Sequence, residues 1–151
     1  MRGFPKVIVA ILLLGSGLNL SAATGKIIKV LPHFLDQKGK HTLSPSLYER
    51  DAYQNLLRKN PELISALRFD INWKASGANG ELLLKVEVRG GKAGSKKVEL
   101  QQKLETASAF SKWTGVKLEK EGFQNIGGVS AWRATLWNGG TLLAETKSFL
   151  W

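Results

Sequence analysis

The stretch Val129-Ser-Ala-Trp-Arg-Ala-Thr-Leu-Trp-Asn-Gly-Gly-Thr-Leu-Leu-Ala-Glu-Thr-Lys-Ser-Phe-Leu150 decides the fold. Two runs, Val129 to Trp137 and Thr141 to Leu150, flank Asn138-Gly139-Gly140. Glycine enters the left-handed backbone region without steric cost, so a three-residue loop with glycine there is a common hairpin connection. That loop opposes Trp137 with Thr141, Leu136 with Leu142, Ala134 with Ala144 and Arg133 with Glu145. Trp132, Ala134, Leu136, Leu142, Ala144 and Leu150 then form the core side, and Arg133, Glu145 and Lys147 the polar side. A two-residue loop opposes core residues with charged ones and is rejected on that ground.

Upstream, the same period of two recurs. Phe69, Ile71 and Trp73 alternate with Arg68, Asp70, Asn72 and Lys74, and Leu82, Leu84, Val86 and Val88 alternate with Glu81, Lys85, Glu87 and Arg89. This is the pattern of half-buried strands. Paired as neighbours, the two strands match charges when Lys74 opposes Glu81, Asp70 opposes Lys85 and Arg68 opposes Glu87. A third strand, Lys97 to Glu105, continues the match: Glu87 with Lys97, Lys85 with Glu99 and Glu81 with Lys103, leaving Val98 and Leu100 on the apolar side. Such pairs contribute only about 0.2–1 kcal/mol each, enough to choose a register but not to create a sheet. Trp73, Trp132 and Trp113 are read as core.

Before Leu67 the chain is mixed. Lys26 to Leu31 reads as a short strand and Pro32 to Thr42 as polar loop. Ser44 is placed as an N-cap with Pro45 at the first helical position, and Asn60-Pro61 stops the run, so one helix is expected over about 45–59. Leu47, Leu56 and Leu57 fall on one of its sides. With Lys112 to Leu118 the count reaches six or seven antiparallel strands. The expected class is mainly β: an antiparallel immunoglobulin/fibronectin-like β-sandwich with one N-terminal α-helix. The alternative is α+β, a single antiparallel sheet with the helix on one face, which the charge-matched run favours. The expected organisation is 24–66 as an N-terminal segment and 67–151 as a β domain, packed as one unit.

Three blocks carry a resemblance. Leu43-Ser-Pro-Ser-Leu-Tyr-Glu-Arg-Asp-Ala-Tyr53, Arg68-Phe-Asp-Ile-Asn-Trp-Lys-Ala75, and Ala131-Trp-Arg-Ala-Thr-Leu-Trp137 with Lys147-Ser-Phe-Leu-Trp151 are similar to a group of small exported bacterial proteins of unknown function. The resemblance implies export and a single compact module, and it brings no site residues with it.

Met1 to Ala23 reads independently as a signal peptide. Arg2 and Lys6 supply the charged start, Val7 to Leu14 the apolar core, and Ser21-Ala22-Ala23 the small-residue exit. The apolar run breaks at Gly15-Ser16-Gly17, short of the roughly 20 residues a membrane span needs, so no transmembrane helix is expected in the mature form. Cleavage near Ala23 lowers Lys+Arg from 22 to 20 against 12 acids, leaving a net charge of +8. The protein is expected in the periplasm or outside the cell, and its lack of cysteine excludes disulfides and thiolate metal sites there.

Motifs for chemistry are few. His33 and His41, with Asp36 between them, sketch a loop metal site but lack a third firm ligand, and are read as ordinary loop histidines. Ser130 in Gly127-Gly-Val-Ser-Ala-Trp132 lacks the elbow of a serine nucleophile, and Gly90-Gly-Lys-Ala-Gly-Ser-Lys-Lys97 fails the phosphate-loop spacing. The chain is read as non-catalytic and without cofactor or metal. Two surface features remain. Arg89, Lys92, Lys96 and Lys97 gather in one loop without an acid and suit a polyanion. Trp137, Phe149 and Trp151 share the outward parity and offer an exposed aromatic patch. The function expected is an exported structural or protein-interaction module of the cell envelope, or alternatively a binder of acidic polysaccharide or another polyanion. The expected partner is another envelope protein or an acidic glycan; intracellular nucleic acid is not expected.

Overall fold

The computed structural model describes residues 22–151, so the expected signal peptide, apart from Ala22 and Ala23, lies outside the described residues. The chain runs β1 (Thr24–Asp36), α1 (Leu47–Lys59), a short 3₁₀ turn (Pro61–Leu63), β2 (Ile64–Ser76), β3 (Leu82–Gly90), β4 (Val98–Leu104), β5 (Ser108–Glu119), α2 (Lys120–Asn125), β6 (Val129–Asn138) and β7 (Thr141–Lys147). The fold is mainly β. The strands form two antiparallel sheets, one ordered β1-β2-β5 and the other β4-β3-β6-β7. The single-sheet alternative is thereby set aside.

The apolar faces of both sheets contribute to one core. Phe69, Ile71 and Trp73 of β2 and Val116 and Leu118 of β5 cluster with Leu84, Val86 and Val88 of β3 and Ala134 and Leu136 of β6. Burying each large apolar side chain contributes about 1.5–3 kcal/mol. The Trp73 indole keeps its donor satisfied in the core, Nε1 donating to Thr114 Oγ1 at 2.9 Å.

β2 and β3 are not neighbours. β2 lies between β1 and β5, and β3 lies between β4 and β6. The expected pairs Lys74–Glu81, Asp70–Lys85 and Arg68–Glu87 therefore do not form; Asp70 instead meets Arg68 and His33 on its own sheet. Both strands present apolar residues that need a facing layer, and placing them in opposite sheets covers both faces at once, which outweighs a few surface charge pairs.

For β3 and β4 the expected charge partners are right and the register is two residues off. Glu87 lies opposite Glu99, and Lys85 opposite Gln101. Lys97–Glu87, Lys85–Glu99 (3.7 Å) and Lys103–Glu81 (2.5 Å) nonetheless pair as diagonal neighbours. The register follows apolar alignment, Leu82 with Leu104, Val86 with Leu100 and Val88 with Val98, and long charged side chains reach across it.

The last hairpin differs in the same way. Asn138 pairs with Thr141, so the connection is the two-residue loop Gly139-Gly140, with Gly139 at φ +58°. Leu143 is then an extra residue: Trp137 pairs with Leu142 and Leu136 with Ala144. This bulge restores the alternation that the short loop would otherwise break, so Arg133 opposes Lys147 and not Glu145. Leu143, rather than Leu142, turns to the core, and β1 lies against it: a Cβ on Gly25 would stand 2.8 Å from Leu143 Cβ. Leu142 and Leu150 are 46% and 69% exposed, against the expectation of core.

β1 is longer than the sequence suggested, continuing through Pro32 to Asp36, which proline tolerates because β1 is an edge strand. α1 covers part of that edge. Gln54 on α1 behaves as a strand neighbour: its Oε1 accepts from Phe34 N at 2.8 Å and its Nε2 donates to Phe34 O at 2.9 Å and His41 O at 2.7 Å. The helix is capped by Ser46 rather than Ser44, Ser46 Oγ accepting from Glu49 N. Of its leucines only Leu57 is buried; Leu47 and Leu56 face solvent. Trp132 packs edge-on against Phe69, whereas Trp113 is 55% exposed, because Thr114, Val116 and Leu118 take the inward positions of β5.

Candidate functional site

The site is one end of the outer face of the four-stranded sheet, where β3 ends, β6 begins and β7 passes into Ser148–Trp151. Its centre is Glu87, a buried carboxylate that receives Lys97 from the β3–β4 loop and Arg133 from β6. Burial pushes the Glu87 carboxyl up, but the hydrogen bonds from Lys97 and Arg133 and their charges outweigh it and hold it below its ordinary value. Arg133 also reaches Glu145 at 3.4 Å.

The loop leaves the sheet under close backbone contact. Lys92 N donates to Ile126 O at 3.0 Å and Gly91 N to Gly128 O at 3.1 Å. A Cβ on Gly90 would come within 2.2 Å of Ile126 O, so only glycine fits there.

After β7 the chain is pinned to β6. Ser148 N donates to Trp132 O at 2.9 Å, and Trp132 N donates to Ser148 Oγ at 3.0 Å. A turn closes as Trp151 N donates to Ser148 O at 3.2 Å. Trp151 folds back under two cations, with Arg89 at 4.0 Å and Arg133 at 5.3 Å from its ring centre. Phe149 and Leu150, at the two corners of the turn, point outward; Phe149 is fully exposed.

Residues that the sequence assigned to two separate surfaces thus meet, Arg89 of the basic loop on Trp151 of the aromatic patch. Lys97 is already held by Glu87, so the loop presents Lys92 and Lys96, both exposed, beside Arg89. Trp137 stands apart: it is half-buried, donates from Nε1 to Thr135 Oγ1 at 2.8 Å and carries Lys85 5.3 Å from its ring centre. Sequence reasoning missed Lys147, exposed immediately before the pinned turn. Its outward parity was visible, but its position at this end of the sheet depends on the bulge at Leu143. Among the described residues, Arg89, Lys92, Lys96 and Lys147 make no ion pair, while Glu81, Glu87, Glu99 and Glu145 on the same sheet all do.

A second cluster lies on the outer face of the other sheet. His33 and His41 do come together, their rings stacked with centres 4.7 Å apart. Their carboxylate is Asp70, not Asp36: His33 Nδ1 donates to Asp70 Oδ2 at 2.9 Å, and Arg68 Nη2 to the same oxygen at 3.1 Å. Asp36 is engaged by the Tyr53 hydroxyl and by the Lys38 and Lys40 amides. Arg68 Nη2 also donates to His41 Nδ1 at 3.4 Å, which suits a neutral imidazole. Among the described residues no group of three or more His, Cys, Asp or Glu side chains is arranged to hold a metal ion.

No protein-family model matches the chain, and no curated protein matches it. Among solved structures, a beta-glucosidase from Kluyveromyces marxianus aligns over 84% of this chain at 9% identity with a TM-score of 0.37. The chain spans 14% of the length of that protein, and a likeness so distant bears on neither fold nor activity.

Proposed function

We propose that the chain is an exported, non-catalytic binding module of the cell envelope, built as an immunoglobulin/fibronectin-like sandwich, whose ligand is polyanionic. Export rests on the reading of Met1 to Ala23. The sandwich reading is supported by the strand order: three strands, 1-2-5, against four, 4-3-6-7. That order differs from the constant-type immunoglobulin arrangement in placing the fourth strand at the edge of the second sheet, beside strand 3, and not in the first. No helix of the described residues is long and apolar enough to cross a membrane.

The observation that carries the ligand class is the charge imbalance of one corner. Among the described residues every acid on that sheet face is matched, while Arg89, Lys92, Lys96 and Lys147 are left without an acidic partner. Unmatched cations gathered at one end attract a polyanion, and salt screens that attraction. Heparin chromatography over a salt gradient tests it. The chain from Thr24 onward is retained and elutes with salt; Lys92→Ala, Lys96→Ala and Lys147→Ala together elute much earlier. Retention unchanged by those substitutions overturns the reading.

A protein partner is the second reading, favoured by α1. Tyr48, Ala52 and Leu56 line its outward face at four-residue spacing, and Leu43 and Leu63 are exposed nearby. Binding there would barely depend on salt.

A further inference from the structure

We propose that this same corner docks on an anionic lipid surface: Phe149 and Leu150 enter the boundary between headgroups and acyl chains while Arg89, Lys92, Lys96 and Lys147 hold the headgroups. The proposal rests on the polyanion reading and names the polyanion.

The turn is built to present its two apolar corners. Two hydrogen bonds between Ser148 and Trp132 fix the start of the turn to β6, and one from Trp151 N to Ser148 O closes it. Trp151, the largest side chain of the segment, is used to lock it, lying beneath Arg89 and Arg133. What the lock leaves outside is a phenylalanine exposed in full and a leucine exposed to 69%.

At the same end of the sheet stand cations that, among the described residues, have no acidic partner. Lys147 leads directly into the turn, Arg89 lies on its closing tryptophan, and Lys92 and Lys96 follow Arg89 in the next loop. The chain from Thr24 onward carries a net charge of +8, which draws it toward a negative surface before contact. An apolar tip at the same end of the sheet as unpaired basic side chains is the composition of an interfacial anchor, in which electrostatic attraction brings the protein down and apolar burial retains it. An acidic polysaccharide would use the cations and could stack on Phe149, but it offers nothing to Leu150. A protein partner would not require unpaired cations.

The test is co-sedimentation of the chain from Thr24 onward, which contains every strand and helix of the fold described above, with vesicles of phosphatidylcholine alone or of equal parts phosphatidylcholine and phosphatidylglycerol. Binding is expected to the phosphatidylglycerol vesicles and not to phosphatidylcholine. Phe149→Ser with Leu150→Ser should lower that partition on the order of tenfold or more and leave heparin retention unchanged. The triple lysine variant should lose both. Phe149→Trp should add emission that is quenched by lipids brominated in their acyl chains.

Vesicle binding undiminished in the double serine variant, or added emission in Phe149→Trp that the brominated lipids do not quench, overturns the insertion. Heparin retention without vesicle binding overturns the lipid proposal and leaves the polyanion reading standing. Absence of both removes the two together. Because Phe149 and Leu150 lie outside the core cluster, an unchanged near-ultraviolet circular dichroism spectrum separates loss of binding from loss of fold.

Discussion

The Arg89 guanidinium lies 4.0 Å from the centre of the Trp151 ring and so ties the end of β3 to the last residue of the chain. An exposed cation–aromatic contact of this kind contributes about 0.5–1 kcal/mol. Arg89→Ala and Trp151→Ala, measured singly and together by urea unfolding, should show a coupling energy of that size. Full additivity would mean that the contact does not hold the turn.

Glu87 sits buried between two cations that both reach solvent. Glu87→Gln removes the charge that Lys97 and Arg133 share, and should cost about 1–3 kcal/mol, below the cost of breaking a fully buried pair. Its pH dependence has a definite sign. The carboxyl is lower in the folded protein than its ordinary value of 4.5, so it adds stability above that value and loses it as pH falls through 4.5 and below. Asp70 acts in the same sense, since burial raises it but His33 and Arg68 outweigh burial. Acid unfolding curves of Glu87→Gln should therefore be flatter than those of the parent below about pH 4.5.

His41 titrates in the opposite part of the scale. Burial first, then the charges of His33 and Arg68, push its imidazole below 6.5, with Asp70 opposing. The unfolded chain then binds the proton more readily, so stability falls as pH drops below about 6.5. Thermal unfolding at neutral pH and near pH 5 should show this loss, and His41→Gln should reduce it. An NMR titration placing His41 above 6.5 would contradict the sign.

Tyr53 gives an alkaline counterpart. Its hydroxyl donates to Asp36 Oδ2 at 2.6 Å, and that hydrogen bond, ahead of burial and the Asp36 charge, pushes it up from 10.0 to about 12. The folded state favours the protonated phenol, so its contribution is whole below pH 10 and disappears as pH rises toward 12. Ultraviolet titration should resolve Tyr53 as the late phenol, and Asp36→Asn should move it earlier.

Gly90 is the position where a single methyl group should do most harm. Its Cβ would meet the Ile126 carbonyl oxygen at 2.2 Å, backbone against backbone, so the loop or α2 must shift. Gly90→Ala should cost about 1–3 kcal/mol and weaken heparin retention, because the same contact sets the exit of the loop bearing Lys92 and Lys96. Gly94→Ala is the comparison: nothing lies near its Cβ, and only its φ of +72° resists the change.

Much of the fold is legible in the order of the residues alone. Alternation at Phe69-Ile71-Trp73 and Leu82-Leu84-Val86-Val88 places each of these side chains in the core, and Asn60-Pro61 ends α1 where expected. These readings succeed because strand parity and helix stops are decided within a few residues. The site was half legible. Arg89, Lys92, Lys96 and Trp151 were singled out, but as two unrelated surfaces.

Residue order therefore settles the period of each segment, the set of apolar faces to be covered and the charge surplus. Tertiary packing alone decides which strands are neighbours, that Glu87 takes Lys97 and leaves Lys92, Lys96 and Lys147 without an ion pair among the described residues, and that Trp151 closes on Arg89. The reason is energetic. Charge pairs on a strand surface are too weak to choose a partner strand, whereas the mutual burial of two apolar faces is strong enough, and it settles through alignments such as Val86 with Leu100 and a bulge at Leu143 that no local pattern records.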